Sequence, residues 1–119
     1  MEYTTGYKNL NTYLKANELT LLIYKLTKIF PREELFGLTS QMRRCAVSVT
    51  ANIVEGYGRR TSKDRLQFYY IARGSLNELE YYLDLAHQLG YIDQKNYEEA
   101  VSLRNDTGKL LNGFIKSTK

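Results

Sequence analysis

Apolar side chains recur along this chain with the spacing of an α-helix rather than with the alternation of a strand. In the first segment, residues 9–30, they fall on one stripe at Leu19, Leu22, Ile23, Leu26 and Phe30. Proline lacks a backbone donor and disfavours helical geometry in the residue before it, so Pro31 is expected to end this first helix. Residues 31–38 then form the connection to a second helix.

The second predicted helix, residues 39–57, carries mostly small side chains on its apolar face. Its expected buried positions are Met42, Cys45, Ala46, Val49, Asn52, Ile53 and Gly56. Thr39 or Ser40 offers the N-cap oxygen, and a glycine in the run Gly56-Tyr57-Gly58 is expected to end the helix in the left-handed conformation. Because small side chains let helix axes come close, this face predicts tight packing against a neighbouring helix.

Two further helices are predicted over residues 62–89 and 93–116. Thr61 and Ser62 cap the first of them, Asp93 caps the second, and Gly90 separates the two. The expected buried stripes are Phe68, Ala72, Ser75, Leu79, Tyr82, Leu83, Ala86 and Leu89, then Tyr97, Ala100, Val101, Arg104, Leu110, Leu111, Phe114 and Ile115. Four helices with short links and no strand signal predict an all-α, up-down-up-down four-helix bundle, with residues 1–119 as a single domain.

Composition limits the class of protein and its location. The chain has 119 residues, of which 43% are hydrophobic and 25% charged, the balance of one globular domain. It has no run of about 18 apolar residues, and Met1–Thr5 shows no secretory signal. One cysteine, Cys45, cannot form an internal disulfide. We therefore expect a cytoplasmic protein.

Catalytic and metal-binding chemistry find little support in the sequence. The single histidine, His87, excludes metal sites that need two histidines from one chain. Cys45 has no histidine beside it and is expected to behave as a small buried apolar side chain. The turn at residues 56–61 carries the first two glycines of a dinucleotide fingerprint, but it lacks the third and follows a helix. We expect a non-enzymatic protein without a cofactor or a metal.

The net positive charge comes from the first half of the chain. Residues 1–60 carry nine basic and five acidic side chains, whereas residues 61–119 carry eight of each, and the net charge is +4. Four of the basic residues surround the turn between the second and third helices: Arg59, Arg60, Lys63 and Arg65. Arginines, hydroxyls and the free N–H groups of a helix start suit phosphate contacts, and Tyr57, Tyr69 and Tyr70 add faces for stacking bases. This turn is the candidate nucleic-acid-binding site, although a solvated corner between helices gives the same pattern.

A second polar set lies on or beside the apolar faces of the second and third helices: Arg43, Arg44, Asn52, Glu55, Arg73, Ser75 and Glu78. Buried polar groups need partners, because an unmet hydrogen bond costs about 1–3 kcal/mol. One interpretation is a structural polar network between helices, in which a glutamate of this set pairs with Arg43 or Arg73. The alternative is a polar pocket or a contact between subunits.

Several apolar and tyrosine side chains fall outside the predicted stripes, among them Tyr24, Tyr69, Tyr81 and Leu85. A bundle of this size has one narrow core, so such side chains need cover from elsewhere. A subunit interface supplies that cover, and the chain is expected to be a homo-oligomer.

Four motifs, in this order, resemble a known family: YKLTKIFP at residues 24–31, FGLTSQMRRCAVS at 36–48, ANIVEGYGR at 51–59 and FYYIARGSLNELE at 68–80. They resemble the bacterial four-helix bundle proteins encoded by intervening sequences in 23S rRNA genes, the ribosomal S23-like family. That family is related to the accessory variability protein of diversity-generating retroelements. The resemblance extends from about Tyr7 to Ile115.

The resemblance implies an up-and-down bundle that assembles into ring-shaped homopentamers. It also implies a basic accessory protein that binds RNA or partners a nucleic-acid-processing enzyme such as a reverse transcriptase. The matched motif positions are Arg43, Arg44, Asn52, Glu55, Gly56, Arg59, Arg73, Ser75 and Glu78, and the family gives none of them a catalytic role. Two hypotheses stay open: an RNA-binding accessory protein, and an oligomeric protein–protein assembly module without its own nucleic-acid binding.

Overall fold

Four α-helices account for most of the protein. The computed structural model describes residues 6–119, so Met1–Thr5, for which the sequence predicts no secretory signal, lies outside the described residues. The helices are α1 (Asn11–Thr27), α2 (Leu38–Tyr57), α3 (Ser62–Gln88) and α4 (Gln94–Thr118), with 3₁₀-helices at Gly6–Asn9 and Arg32–Glu34. No strand occurs within residues 6–119. The prediction of an all-α fold with four helices is confirmed.

The four helices alternate in direction and close into a bundle. Each helix packs against its neighbours in sequence, and α4 also packs against α1. Thr12, at the start of α1, donates its hydroxyl to the carbonyl of Leu110 near the end of α4, at 3.5 Å. Arg43, near the start of α2, contacts Thr27 at the end of α1. The bundle measures 43 × 24 × 21 Å. Because α1 and α2 run in opposite directions, the start of α1 and the turn between α2 and α3 lie at the same end.

Three predicted helix boundaries are confirmed by their backbone geometry. Thr61 caps α3 by accepting the Asp64 N–H at 3.1 Å, and Asp93 caps α4 by accepting the Asn96 N–H at 2.8 Å. Gly90, after α3, has φ of +81°, a left-handed conformation that glycine adopts without a Cβ penalty.

The predicted ends of α2 are wrong in detail. Thr39 and Ser40 lie inside the first turn, and Gly37 is the N-cap without a side-chain hydrogen bond. The carboxylate of Glu34, from the preceding 3₁₀-helix, instead accepts the Leu38 N–H at 3.1 Å. At the other end Gly58 keeps a right-handed φ of −79°, because its N–H continues the helical pattern to the carbonyl of Val54. No left-handed residue is needed there.

The buried apolar side chains form one core along the bundle axis. Most positions of the predicted buried faces of α1 and α2 are buried: Leu19, Ile23, Leu26, Phe30, Met42, Cys45, Ala46, Val49, Ile53 and Gly56. Leu22 and Asn52 are half-buried. In α3 four predicted positions are buried: Ala72, Leu79, Leu83 and Ala86. The prediction is wrong at three others, because Tyr69 and Leu76 are buried where Phe68 and Ser75 were expected, and Leu89 is 50% exposed. In α4 the fully buried Thr107 was missed; its hydroxyl donates to the carbonyl of Leu103 at 2.8 Å.

Tyr69 of α3 is buried in close packing against Gly56 of α2. A Cβ placed on Gly56 would lie 2.6 Å from the Tyr69 ring, so only a glycine leaves room for that ring. The ring of Tyr69 also packs on Phe114 of α4, with centroids 4.9 Å apart. Tyr69 therefore joins three helices at the end of the bundle where the turn between α2 and α3 lies.

Candidate nucleic-acid interface

The basic turn, residues 59–65 between α2 and α3, holds the four predicted binding residues in two different kinds of environment. Arg59 forms a salt bridge with Glu55 at 2.8 Å, and its guanidinium lies over the Phe68 ring, 4.6 Å from the centroid. Arg65 is half-buried; its Nε donates to the carbonyl of Arg59 at 2.7 Å, and its guanidinium lies over Tyr57. Arg59 and Arg65 thus hold the turn in its conformation.

Arg60 and Lys63 are exposed, as is Arg59, but Arg59 is held by its contacts with Glu55 and Phe68. Within residues 6–119 neither of them forms a salt bridge. Lys63 lies in the first turn of α3, where unpaired backbone N–H groups and the helix dipole favour an anion. Asp64 lies beside it and offsets part of that charge. A phosphate approaching the turn would therefore meet Arg60 and Lys63 first.

Of the three tyrosines expected to stack on bases, Tyr70 alone is exposed. Tyr57 is half-buried and stacked on Phe114, with centroids 6.3 Å apart. Tyr69 is fully buried in the core. Tyr70 is 40% exposed and lies beneath the guanidinium of Arg73, 5.1 Å from the ring centroid. The stacking surface predicted from the sequence is thus reduced to this one tyrosine.

The second polar set lies at the surface rather than inside the bundle. Four of its members are exposed, Arg44, Glu55, Arg73 and Glu78, and three are half-buried, Arg43, Asn52 and Ser75. The predicted pairing of a glutamate with Arg43 or Arg73 differs from the contacts observed. Arg43 donates Nε to the hydroxyl of Thr27 at 2.8 Å, and Arg73 donates to Asn112 at 3.4 Å. The two arginines point towards α1 and α4, whereas both glutamates lie on the α2–α3 side, which is why the pairs do not form.

Four other members of this set, Arg44, Asn52, Ser75 and Glu78, meet in a polar strip between α2 and α3, here called the α2–α3 seam. Glu55 instead pairs with Arg59. The hydroxyls of Ser48 and Ser75 are 2.8 Å apart, and Asn52 donates to the carbonyl of Ser48 at 2.8 Å. The thiol of Cys45 donates to Glu78 at 3.2 Å. A hollow of about 230 Å³ opens on the seam; its lining residues are Gln41, Arg44, Cys45, Ser48, Ser75 and Glu78. Arg44, Ser75 and Glu78 are thereby brought together.

Cys45 and His87 both make contacts within the bundle. Burial, then the hydrogen bond and charge of Glu78, raise the pKa of the Cys45 thiol to about 12. Such a thiol stays protonated near neutral pH and is a weak nucleophile and metal ligand. His87 is stacked on Tyr97 and bonded through Nδ1 to the carbonyl of Ile92 at 3.0 Å. Within residues 6–119, no three His, Cys, Asp or Glu side chains are grouped as a metal would need.

A polar groove of about 540 Å³ between α3 and α4, here called the α3–α4 groove, was not predicted from the sequence. Its polar lining is Arg73, Asn77, Glu80, Arg104, Asn105, Lys109 and Asn112. Arg104 is its most buried charged side chain, 13% exposed, and bridges the helices by donating Nε to the carbonyl of Leu76 at 3.2 Å. One signal of the groove was present in the sequence, because Arg104 occupies a position of the predicted apolar stripe of α4.

Large apolar side chains are exposed on α1, on α2 and on the segment between them. Phe36 is 93% exposed, and Leu35, Tyr24 and Val47 are each at least 40% exposed. They border a hollow of about 470 Å³, the α1–α2 hollow, together with Thr39, Ser40, Arg43 and Arg44. Of the four side chains predicted to lie outside the core, Tyr24 and Tyr81 are exposed, Leu85 is half-buried and Tyr69 is in the core. The prediction for Tyr69 is therefore wrong.

No helix within residues 6–119 combines the length and the apolar character that crossing a bilayer requires.

Comparison with known proteins gives a family and a fold. The family model described as "23S rRNA-intervening sequence protein" matches residues 8–113. Among solved structures, the chain is similar to a protein of unknown function from the S23 ribosomal protein family of Bacteroides thetaiotaomicron VPI-5482. That similarity has a TM-score of 0.81 and 30% sequence identity, and it covers 88% of this chain and 95% of the other. The search among curated proteins returned no match.

Proposed function

Because the chain belongs to the 23S rRNA-intervening sequence protein family, we propose that it is a non-enzymatic accessory protein that binds RNA through the basic turn. The observation that carries the proposal is the exposure of Arg60 and Lys63 beside the free N–H groups of α3, on a turn that Arg59 and Arg65 hold in place. Contacts of this kind are made to phosphate and carry little sequence information. A reducing cytoplasm fits the single, unpaired cysteine.

Assembly into a ring-shaped homo-oligomer, a pentamer in the arrangement that the resemblance implies, is part of this proposal. A ring repeats the basic turn once per subunit, so a patch that is weak in one chain becomes a belt of positive charge. Avidity of this kind compensates for the modest net charge of +4 per chain. Sedimentation equilibrium at micromolar concentration tests the assembly, and the mass of a monomer would rule it out.

The RNA-binding test uses fluorescence anisotropy with a labelled, unstructured oligouridylate over a series of salt concentrations. Replacing both Arg60 and Lys63 by alanine should weaken binding and reduce the slope of log affinity against log salt by about 0.7 for each phosphate that is no longer neutralised. The matched control is Lys25→Ala with Lys28→Ala, which removes the same charge at the other end of the bundle. Wild-type protein that fails to bind at low salt would refute the proposed function, and equal losses of affinity in both variants would refute the site.

A second candidate function is an oligomeric protein–protein assembly module, for instance a partner of a reverse transcriptase, without nucleic-acid binding of its own. The exposed apolar group around Phe36 and the α1–α2 hollow favours it, because isolated apolar patches of this kind mark contact surfaces. The anisotropy experiment separates the two candidates. An assembled protein that does not bind RNA at any salt concentration supports the module.

A further inference from the structure

The α3–α4 groove contains three asparagines whose side-chain carbonyls are all directed at arginines. Arg104 donates to Oδ1 of Asn77 at 2.9 Å and to Oδ1 of Asn105 at 3.0 Å. Arg73 donates to Oδ1 of Asn112 at 3.4 Å. A guanidinium has only donors, so it fixes the orientation of each amide with the oxygen towards the arginine. The amide nitrogens of the three asparagines are therefore turned away from the arginines.

This orientation makes the groove rich in hydrogen-bond donors and poor in acceptors. The amide nitrogens carry two N–H donors each, and the exposed Arg73 and Lys109 add positive charge on either side. Glu80 is the one acidic side chain that lines the groove, and its carboxylate is 3.8 Å from Arg104. A ligand that fits such a lining has several acceptor oxygens and a negative charge.

The position of the groove connects it with the basic turn. Lys63, Tyr70, Arg73 and Asn77 recur at intervals of three, four or seven residues and so share one side of α3. Arg73 lies ten residues after Lys63, which is about 15 Å along the helix axis. Tyr70, exposed beneath the Arg73 guanidinium, lies between the two. The same anionic chain can thus run from the basic turn to the groove.

We propose that the α3–α4 groove binds the phosphodiester backbone of a nucleic acid, as a second contact beyond the basic turn. The inference rests on the proposed RNA-binding function and adds a site to it. The asparagine amides and Lys109 donate to phosphate oxygens, while Arg104 stays bound to the protein and keeps the amides oriented. Tyr70 offers its exposed face to a base that follows the backbone past Arg73.

The test is the double variant Asn105→Asp with Asn112→Asp, assayed by anisotropy with the labelled oligouridylate. Aspartate keeps an oxygen towards each arginine, so the fold is preserved, but it replaces the outward donor by an acceptor with negative charge. We expect at least about a tenfold loss of affinity, since each substitution replaces a hydrogen bond to phosphate by repulsion between two negative charges. The matched control is Asn17→Asp with Gln41→Glu, which makes the same change of charge on α1 and α2 and should reduce affinity much less.

A second substitution tests the groove even if the asparagine double variant fails to fold. Lys109 is exposed, so Lys109→Gln should weaken RNA binding without lowering the melting temperature, whereas Lys95→Gln, outside the groove, should leave binding nearly unchanged. Titration with the oligouridylate should also shift the side-chain amide NMR signals of Asn77, Asn105 and Asn112.

The outcomes separate this inference from the proposed function. If the groove variants bind like their controls while the Arg60 and Lys63 variant loses affinity, the basic turn stands and the groove contact is refuted. If the asparagine amide signals do not move while signals of residues 59–65 do, the groove is again excluded. If wild-type protein does not bind the oligouridylate at low salt, both proposals fail.

Discussion

The thiol of Cys45 donates a hydrogen bond to Oε1 of Glu78, 3.2 Å away across the α2–α3 seam. The second oxygen of the same carboxylate accepts the hydroxyl of Tyr82 at 3.1 Å. Glu78 is exposed, yet donors from two positions fix it over the thiol, which is only 6% exposed. Loss of the thiol proton would place a second negative charge beside the first in a partly desolvated position. Burial and this neighbour together raise the pKa of Cys45 to about 12.

This raised pKa predicts a loss of stability in alkali that depends on Cys45. The unfolded thiol loses its proton near pH 9.0, whereas the folded thiol keeps it until about pH 12. Between these values the unfolded state binds fewer protons, so the free energy of unfolding falls as the pH rises. Thermal melts from pH 8 to pH 11 should show a steeper fall for wild type than for Cys45→Ser. Identical pH profiles would contradict the contact.

The comparison with Cys45→Ser is needed because tyrosines titrate in the same range. Hydrogen bonds to Glu34 and to Asp84 raise the pKa values of Tyr91 and Tyr97, respectively. Both proteins carry these tyrosines, so the difference between their profiles reports the thiol together with its coupling to Tyr82, whose pKa is raised by burial, by Glu78 and by Cys45. As an independent measurement, iodoacetamide at pH 8 should alkylate Cys45 much more slowly in the folded protein than in urea.

The contact between Gly56 and Tyr69 predicts opposite effects for two glycine substitutions. Gly56→Ala places a Cβ 2.6 Å from a fully buried ring, and overpacking of this kind should destabilise the protein by about 1–3 kcal/mol. Gly74, in the middle of α3, has nothing within 4 Å of an added Cβ. Gly74→Ala should therefore stabilise the monomer by about 0.5–1 kcal/mol through helix propensity. Urea denaturation measures the free energy of unfolding of both variants. A change in the same direction for both would contradict the packing of Gly56 against Tyr69.

The contacts of Arg104 predict that a lysine at this position would lower the stability of the protein. Its guanidinium bonds the carbonyl of Leu76 and the amides of Asn77 and Asn105, with only 13% of the side chain exposed. Lysine keeps the charge but cannot reach several acceptors in a planar fork. Arg104→Lys should lower the free energy of unfolding by about 1–3 kcal/mol, measured by urea denaturation. The exposed Arg44→Lys serves as the control and should change it by less than about 0.5 kcal/mol.

The fold was predictable from the sequence because helical periodicity reports burial directly. The sequence predicted four helices with nearly the observed bounds. The prediction relied on the apolar stripe at Leu19, Ile23 and Leu26, on the caps at Thr61 and Asp93, and on the family motifs. The burial of Tyr69 in place of Phe68 was not predictable in the same way. Phe68 and Tyr69 are both large and aromatic, and the choice between them depends on the space beside Gly56 in another helix.

The candidate site was predictable only as a group of charges. The basic cluster of residues 59–65 is visible in the sequence. Which of its side chains contact the protein and which can contact a ligand depends on the folded structure. Arg59 pairs with Glu55 one turn earlier, and Arg65 reaches back to the carbonyl of Arg59. The α3–α4 groove was missed because Asn77 and Asn105 are far apart in the chain and Arg104 alone brings them together. Isolated asparagines carry no pattern that a reading of one sequence would detect.

The exposed ring of Phe36 allows a substitution that affects subunit association without affecting folding. Because this side chain is 93% exposed, Phe36→Ser should change the stability of the isolated chain by less than about 0.5 kcal/mol. If copies of the chain meet at the α1–α2 hollow, the same ring is buried in the assembly, and its removal should weaken the interface by about 2 kcal/mol or more. Sedimentation velocity over a dilution series should then show Phe36→Ser dissociating at concentrations where wild type stays assembled. Ile29 is 78% exposed but does not border the hollow, so Ile29→Ser is the matched control and should sediment like wild type. Equal sedimentation of wild type and Phe36→Ser in an assembled state would place the subunit contact on another face.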